Sequence, residues 1–318
     1  MESNDHPELD GSDLLDMDGI KLYQSLIGSF QWVISIGRIE IMTATMTMSK
    51  FSCAPRKGHL ERLFRMLKYL SNMKHSIIRF RTGIPNYDSV DIKPYDWSNS
   101  VYRGACEIIP KDIPNPKGKP ILITSYCDSN LLHDMISGKS VTGILHFLNK
   151  TPIYWFSKKQ PTVCTSTYEA EFMATRTEVE QVIDLRCTLR YLGIPVMNPS
   201  MMFGDNASVV GSVNMPSSCM KKRHIILSFH KVREAVASGC VYYGFLKGED
   251  NVADVLSKLW SYQCVWKRLQ ALLFWSGNTM DLFNKEFESG NIKSGKGKIR
   301  RSNNVGNHLV CGINTVQK

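Results

Sequence analysis

The run Ile121-Leu-Ile-Thr-Ser-Tyr-Cys-Asp128 decides the fold, because it is an apolar, β-rich segment that ends in a carboxylate. Residues 141–148 and 152–156 have the same character, and Asn149-Lys150-Thr151 between them is typical of a hairpin turn. The sequence therefore predicts three consecutive antiparallel strands, the first of which ends at Cys127-Asp128.

The pattern changes downstream of this meander. Thr165-Ser-Thr167 is a plausible N-cap for a long helix, and Gly193 marks the end of that helix. The predicted elements after the third strand are a helix at 167–192, a strand at 201–204, a helix that begins after Asp205-Asn206, a helix at 224–237, a strand at 240–246 and a helix at 251–259. The order β-β-β-α-β-α-α-β-α predicts one α/β domain with a mixed five-stranded sheet flanked by helices.

Four acids lie at strand ends or helix starts of this predicted domain. Asp128 ends the first strand, Glu171 lies in the first turns of the long helix, Asp205 ends the fourth strand, and Asp254 begins the last helix. Such positions gather at one edge of an open sheet, where four carboxylates repel one another unless cations are present. Oxygen ligands suit Mg²⁺ or Mn²⁺, and two such ions support phosphodiester cleavage. The alternative is that Asp205 and Asp254 only cap helices.

The motifs around these acids resemble ribonuclease H, and more narrowly the RNase H domain of copia-type retrotransposon polyproteins. They are Tyr126-Cys-Asp128, Glu171-Phe-Met-Ala174, Gly204-Asp-Asn206 and Asn251-Val-Ala-Asp254, with Ser140-Val-Thr-Gly143, Trp155-Phe-Ser-Lys-Lys-Gln160, Lys222-Arg-His224 and Ala253-Asp-Val-Leu-Ser-Lys258 as further matches. Upstream, residues 23–32 and 58–63 resemble the segment that joins reverse transcriptase to RNase H.

The resemblance implies an enzyme that hydrolyses the RNA strand of an RNA–DNA hybrid and leaves a 3′-hydroxyl and a 5′-phosphate. It assigns Asp128, Glu171, Asp205 and Asp254 as the metal-binding acids, with two Mg²⁺ ions as cofactors and Mn²⁺ as an alternative. Glu169 is the rival of Glu171 for the metal-binding position on the long helix. Residues two apart do not share a helix face, so only one of the two points into the site.

Further residues are candidates for contact with the substrate. Lys158, Lys159 and Gln160 follow a predicted strand, where they contact backbone phosphate or form a solvated turn. Asn206 and His224 are expected near the substrate. Trp155 is interpreted as a core residue rather than a base-stacking platform. The family often has Asp at the positions of Asn130 and Ile226, and neither of these is among the four acids.

The distribution of charge and proline, together with the family identities that the resemblance implies, predicts five segments. They are an acidic leader at 1–20, a helical remnant of the reverse transcriptase end at 21–84, a proline-rich connector at 85–119, the RNase H-like domain at 120–280 and a basic disordered tail at 281–318. The net charge is +10, and residues 1–20 hold seven acids without Lys or Arg. Residues 285–318 carry +5, so the middle carries +12. This charge favours a nucleic-acid partner, with a merely soluble basic protein as the alternative.

Several classes of protein are not expected from this sequence. Apolar runs are too short for a membrane helix, and nine cysteines without a C-x-x-C pair predict neither a zinc knuckle nor a disulfide framework. The predicted setting is intracellular, either cytoplasm or nucleus. The Tyr-x-Asp-Asp motif of the family's polymerase is absent, so DNA synthesis is not predicted, although the polymerase portion of a Pol product is a candidate partner. The alternatives to an active RNase H are an inactive remnant that binds nucleic acid and a metal-dependent DNase or resolvase.

Overall fold

The structure, a computed structural model, describes residues 5–74, 76–87, 90, 92, 95–260, 265, 268, 269 and 272–274. The predicted basic tail at 281–318 lies outside the described residues, and the predicted domain boundaries remain predictions. The helices are α1 Met17–Ser35, α2 Met42–Ser49, α3 Lys57–Asn72, α4 Thr167–Tyr191, α5 Ala207–Asn214, α6 Ile226–Ala237 and α7 Asp254–Ser257. The strands are β1 Ile77–Ile78, β2 Ile123–Asp134, β3 Lys139–Leu148, β4 Thr151–Lys159, β5 Ser200–Gly204, β6 Val241–Phe245 and β7 Leu273–Phe274.

The central sheet has five strands in the order β4-β3-β2-β5-β6. β2, β3 and β4 form an antiparallel meander, whereas β5 is parallel to β2 and β6 is parallel to β5. A helical segment precedes the sheet, and α4 follows the meander at the place where a capped helix was predicted. The prediction of an α/β fold with a mixed five-stranded sheet flanked by helices is confirmed.

Two apolar layers cover the two faces of the sheet. Alternation along β2 sends Ile123 and Cys127 towards one core and Tyr126 towards the other, because successive strand side chains point to opposite faces. The first core contains residues of α4, α5 and α6, among them Phe172, Val209 and Phe229. The second contains residues of α7 and of the chain near α2, among them Leu256 and Ile39.

The first strand of the meander is longer than predicted. β2 continues through Asp128 to Asp134, and Asp128 lies opposite Gly143 of β3. The prediction that the strand ends at Asp128 is therefore wrong. The pairing continues because β3 begins as early as Lys139 and supplies hydrogen-bond partners along this length. An irregularity between Asn130 and Asp134 then interrupts the register.

Some of the acidic N-terminal residues form contacts with the helices that follow. Arg62 of α3 donates to Asp5 at 2.8 Å and to Asp10 at 2.6 Å. Asp16 caps α1, which begins at Met17, by accepting from the backbone N–H of Gly19 at 2.8 Å. Asp5 and Asp10 are thus held because a largely buried guanidinium needs acceptors. Asp13 and Asp18 remain exposed, and the predicted acidic leader stays a prediction.

The helical segment packs against the sheet domain. Its own core contains Tyr23, Phe30 and Leu63, and Trp155 of β4 packs against this core. Thr43 of α2 donates its hydroxyl to the carbonyl of Val255 in α7 at 2.8 Å. This contact links the first helices to the short helix that carries Asp254. In the described part of the chain, no helix combines the length and the apolar character that a membrane span requires.

Candidate metal centre

The register of two parallel strands places the first two acids side by side. Tyr126 of β2 lies opposite Phe203 of β5, so Asp128 and Asp205, each two residues further on, lie at the same edge of the sheet. Asp205 follows the last residue of β5. Asn206 next to it caps α5 by accepting from the backbone N–H groups of Ser208 and Val209.

The long helix supplies the third acid. Ser166 caps α4 by accepting from the backbone N–H of Glu169, and Glu171 lies one turn into the helix, where it is buried. The backbone N–H of Ser129 in β2 donates to the Glu171 carboxylate at 3.2 Å. One carboxylate oxygen from each of Asp128, Glu171 and Asp205 lies within 4.8 Å of the others. We call these three residues the carboxylate triad.

Glu169, the rival of Glu171, has different partners. Its carboxylate accepts from the hydroxyl of Thr165 at 2.8 Å and lies 2.6 Å from Nε2 of His224. Burial raises the pKa of Glu169, but hydrogen bonds from Thr165 and His224 outweigh it and lower the pKa to about 2. Glu169 therefore holds the loop that contains His224, and it is outside the triad.

The fourth predicted acid, Asp254, lies beside the triad but is not a member of it. It begins α7, where Lys258 donates to one carboxylate oxygen at 2.5 Å and Arg268 donates to the other at 2.9 Å. Asn251 fixes the loop before α7, since its side-chain amide donates to the carbonyl of Cys127 at 2.8 Å. The Asn251-Val-Ala-Asp254 motif thus ties Asp254 to the strand that carries Asp128.

The close approach of α7 to the sheet depends on a glycine. A Cβ added to Gly143 would lie 2.6 Å from the backbone carbon of Leu256 and 2.7 Å from the backbone nitrogen of Ser257. Because Gly143 is the partner of Asp128 across β2 and β3, the missing side chain lets α7 lie directly over Asp128. The hydroxyl of Ser257 then donates to the Asp128 carboxylate.

The charges at this site oppose one another. Burial raises the pKa of Asp128 to about 7, although Lys258 lowers it and Asp254 raises it further. Burial and then the nearby Asp128 and Asp205 raise the pKa of Glu171 well above its ordinary value. Burial also raises the pKa of Asp205. The positive charge near Asp128 and Glu171 is therefore too small to offset the effect of burial on the pKa of these two carboxyl groups.

The donor set fits a hard divalent cation. The triad supplies oxygen atoms only, which is the chemistry preferred by Mg²⁺ and Mn²⁺, and its mutual repulsion favours a bound cation. An open cleft of about 490 Å³ is lined by Glu171, Asp205, Asn206 and Lys258 among others. The structure shows the acidic group and the cleft, whereas the identity and number of the ions remain predictions.

The lysines and the glutamine predicted to contact phosphate do not lie in a turn. Lys158 and Lys159 are the last residues of β4. Lys159 donates to Asp134 at 3.0 Å, whereas Lys158 forms no ion pair within the residues that the structure describes. Gln160 is buried, and its amide donates to Thr142 and to the carbonyl of Ala170. The donor group of Gln160 is thus already used inside the protein, and its predicted contact with phosphate stays a prediction.

The remaining predicted residues are near the triad or in the core. Asn206 lines the cleft beside Asp205, and His224 is exposed on the loop that Glu169 holds. Trp155 packs against two cores, as its interpretation as a core residue requires. Sequence reasoning missed Lys258 and Ser257, which contact Asp128. The available signal was the spacing of Asp254 and Lys258, four residues apart within one motif.

Comparison with known proteins identifies relatives of this chain, although no family model matches it. The chain is similar to the Retrovirus-related Pol polyprotein from transposon RE1 of Arabidopsis thaliana, with 27% identity over 239 residues, which are 74% of this chain and 14% of the relative. The Pol polyprotein from transposon RE2 of the same plant is 26% identical over equal shares. These relatives are copia-type Pol polyproteins, which confirms the resemblance in the motifs, and the chain spans about one seventh of their length.

A solved structure similar to this chain is the crystal structure of LC11-RNase H1 in complex with RNA/DNA hybrid. It covers 42% of this chain and 93% of that protein, with 16% identity and a TM-score of 0.35.

Proposed function

We propose that this chain is a metal-dependent ribonuclease H that hydrolyses the RNA strand of an RNA–DNA hybrid. The carboxylate triad carries the proposal, since it joins two buried acids and the half-buried Asp205 at one edge of the sheet beside an open cleft. The relationship to copia-type Pol polyproteins supports it, because the same acids lie in the motifs that resemble RNase H. The intact Pol relatives are much longer, so a polymerase partner is a further part of this proposal.

The proposed cofactor is a pair of Mg²⁺ ions, with Mn²⁺ as a substitute. A pair of divalent cations would supply the activation of water and the stabilisation of the leaving oxygen. Asp128, Glu171 and Asp205 would hold them, and Asp254 would complete the set. The protein orients these ligands in advance: Ser257 donates to Asp128, and the backbone N–H of Ser129 donates to Glu171.

Selection of the hybrid would depend on the shape of its minor groove and on contacts to 2′-hydroxyl groups. Lys221 and Arg223 are exposed on the loop that Glu169 holds, and within the described part of the chain neither forms an ion pair. With the +12 charge of residues 21–284, these side chains favour attraction to phosphate.

The experiment that tests this function is cleavage of a labelled RNA–DNA hybrid with Mg²⁺, with and without a chelator. We expect chelator-sensitive cutting of the RNA strand, which Asp128→Asn reduces by at least about a hundredfold because it removes a metal ligand. Asp184→Asn is the matched control, since Asp184 lies exposed on α4, and it should retain full activity.

Two results would contradict the proposal. A folded protein that binds the hybrid in a salt-dependent manner without cutting it would be an inactive remnant that binds nucleic acid. Equal cutting of the hybrid and of duplex DNA would indicate a DNase or a resolvase on the same fold.

A further inference from the structure

Lys258 is the basic side chain in direct contact with two of the four acids. Its Nζ lies 3.2 Å from an oxygen of Asp128 and 2.5 Å from an oxygen of Asp254. Asp128 is fully buried, whereas about a third of the Lys258 side chain is exposed. The ammonium group therefore lies between the buried acids and the solvent.

The position of Lys258 gives it access to the cleft. Lys258 lines the cleft that contains Glu171 and Asp205, and it also lines a neighbouring cavity with His133 and Trp260. It follows the last residue of α7 with an extended backbone, so its side chain is not packed within a helix. A lysine on a flexible four-carbon stem is able to leave one partner for another, unlike a planar, bidentate guanidinium.

Asp128 has two competing demands on it. It belongs to the carboxylate triad, and it also accepts from Lys258. Two positive charges about 4 Å apart repel one another strongly in the surroundings of a protein surface. The ammonium group of Lys258 would therefore repel a divalent cation held by Asp128 and Asp254. Arg268 would still donate to the other oxygen of Asp254.

We propose that Lys258 is a built-in counter-ion that competes with the divalent cation for Asp128 and Asp254. This inference rests on the proposed function and adds a positioning residue to it. Lys258 keeps the two acids paired in the metal-free protein. The triad would hold the tighter-binding ion, whereas Asp128 and Asp254 would together hold a weaker-binding one only after Lys258 leaves them for the cleft.

The test is calorimetric titration of the full chain with Mn²⁺ in the absence of nucleic acid. In Lys258→Met, we expect the weaker binding step to tighten about tenfold, because the competing charge is gone. Lys231→Met is the matched control: it removes the same charge from an exposed position on α6, and binding should stay within about twofold of the wild type. Unchanged or weaker Mn²⁺ binding in folded Lys258→Met would overturn the inference.

A second variant covers the case in which Lys258→Met does not fold. Lys258→Gln keeps a hydrogen-bond donor without the charge, and its melting temperature is measured in chelator and in Mg²⁺. We expect a lower melting temperature than the wild type in chelator and a larger increase with Mg²⁺. An increase no larger than that of the wild type would contradict the inference.

The two proposals fail in different ways. Tighter Mn²⁺ binding in Lys258→Met, together with no cleavage of the hybrid by the folded wild type, would support the counter-ion role and refute the proposed enzymatic activity. Cleavage by the wild type together with unaltered Mn²⁺ binding in Lys258→Met would do the reverse.

Discussion

At the scale of single residues, Glu178 is a buried acid that the proposed chemistry does not use. It lies on α4 two turns after Glu171 and is completely buried. Ser125 and Cys127 lie near its carboxylate and lower its pKa, but by less than burial raises it. Burial raises the pKa of Glu178 from its ordinary value of 4.5 to about 8. At neutral pH this side chain is therefore mostly protonated in the folded protein.

This raised pKa makes the stability of the protein depend on pH. The folded state binds the proton more tightly than the unfolded state, so the contribution is complete below pH 4.5 and is lost as pH rises through 8. Glu178→Gln removes the titrating group, and we expect it to increase the free energy of unfolding by a few kcal/mol at pH 9 relative to wild type, with a much smaller difference at pH 5.

Urea denaturation at pH 5, 7 and 9 measures this effect. Glu180→Gln is the matched control, because Glu180 is only half-buried on the same helix and pairs with Arg176 at 2.7 Å. Its difference from the wild type should be small at every pH. Parallel stability curves for Glu178→Gln and the wild type would show that Glu178 does not titrate in this range.

Sequence reasoning identified acids more readily than their partners. Motif spacing was sufficient to select Asp128, Glu171 and Asp205, which the structure brings together. The partners of these acids are tertiary: Lys258 reaches Asp128 across 130 residues of chain. The burial of Gln160 was not predictable for a related reason, because it depends on contacts with β3 and α4 that no local pattern contains.

At the scale of elements, the packing of α7 on β3 positions Asp254. Gly143 lies beneath α7, and an added Cβ would collide with backbone atoms, which are unable to move aside as a flexible side chain does. We expect Gly143→Ala to lower the free energy of unfolding by about 1–3 kcal/mol and to displace α7. Hybrid cleavage should fall more than stability alone explains, since Asp254 and Ser257 move with α7.

Gly211→Ala is the control for this prediction. Gly211 lies within α5, and nothing would lie within 4 Å of a Cβ added there. We expect it to stabilise the protein by about 0.5–1 kcal/mol with cleavage unchanged. Thermal denaturation and hybrid cleavage of both variants provide the measurements. Normal activity of Gly143→Ala would refute the positioning role of this contact.

The elements differ in how well local sequence predicts them. The helix predicted at 167–192 is observed as Thr167–Tyr191, because its cap and its terminal glycine are local signals. The helix predicted at 251–259 is only Asp254–Ser257. The side chain of Asn251 donates to the carbonyl of Cys127. Lys258 has an extended backbone, and its side chain contacts Asp128 and Asp254. Both departures depend on distant strands.

At the scale of the whole molecule, the helical segment and the sheet domain share one interface. Trp155 of β4 packs against the core of the first three helices, and Thr43 of α2 bonds to α7. Because α7 carries Asp254, the first helices support one side of the candidate metal centre. The distribution of charge along the sequence predicts separate segments, but it does not predict the contacts that these residues, far apart in the sequence, form with one another.

The hydrogen bond from Thr43 provides a test of this coupling. Thr43→Val preserves the shape of the side chain and removes the donor to the carbonyl of Val255, so we expect a loss of about 1–2 kcal/mol in the free energy of unfolding. Thr45→Val is a matched control on the same helix. Thr45 is equally buried, but its hydroxyl donates only to the carbonyl of Ile41 one turn earlier.

Hydrogen exchange separates a general loss of stability from a local effect on α7. In Thr43→Val, the backbone N–H groups of Leu256 and Lys258 should exchange faster than the change in global stability requires, because α7 has lost its tie to the helical segment. In Thr45→Val, exchange in α7 should follow the global stability alone. Equal exchange in the two variants would mean that the sheet domain positions α7 without help from α2, and that the helical segment is dispensable for the geometry around Asp254.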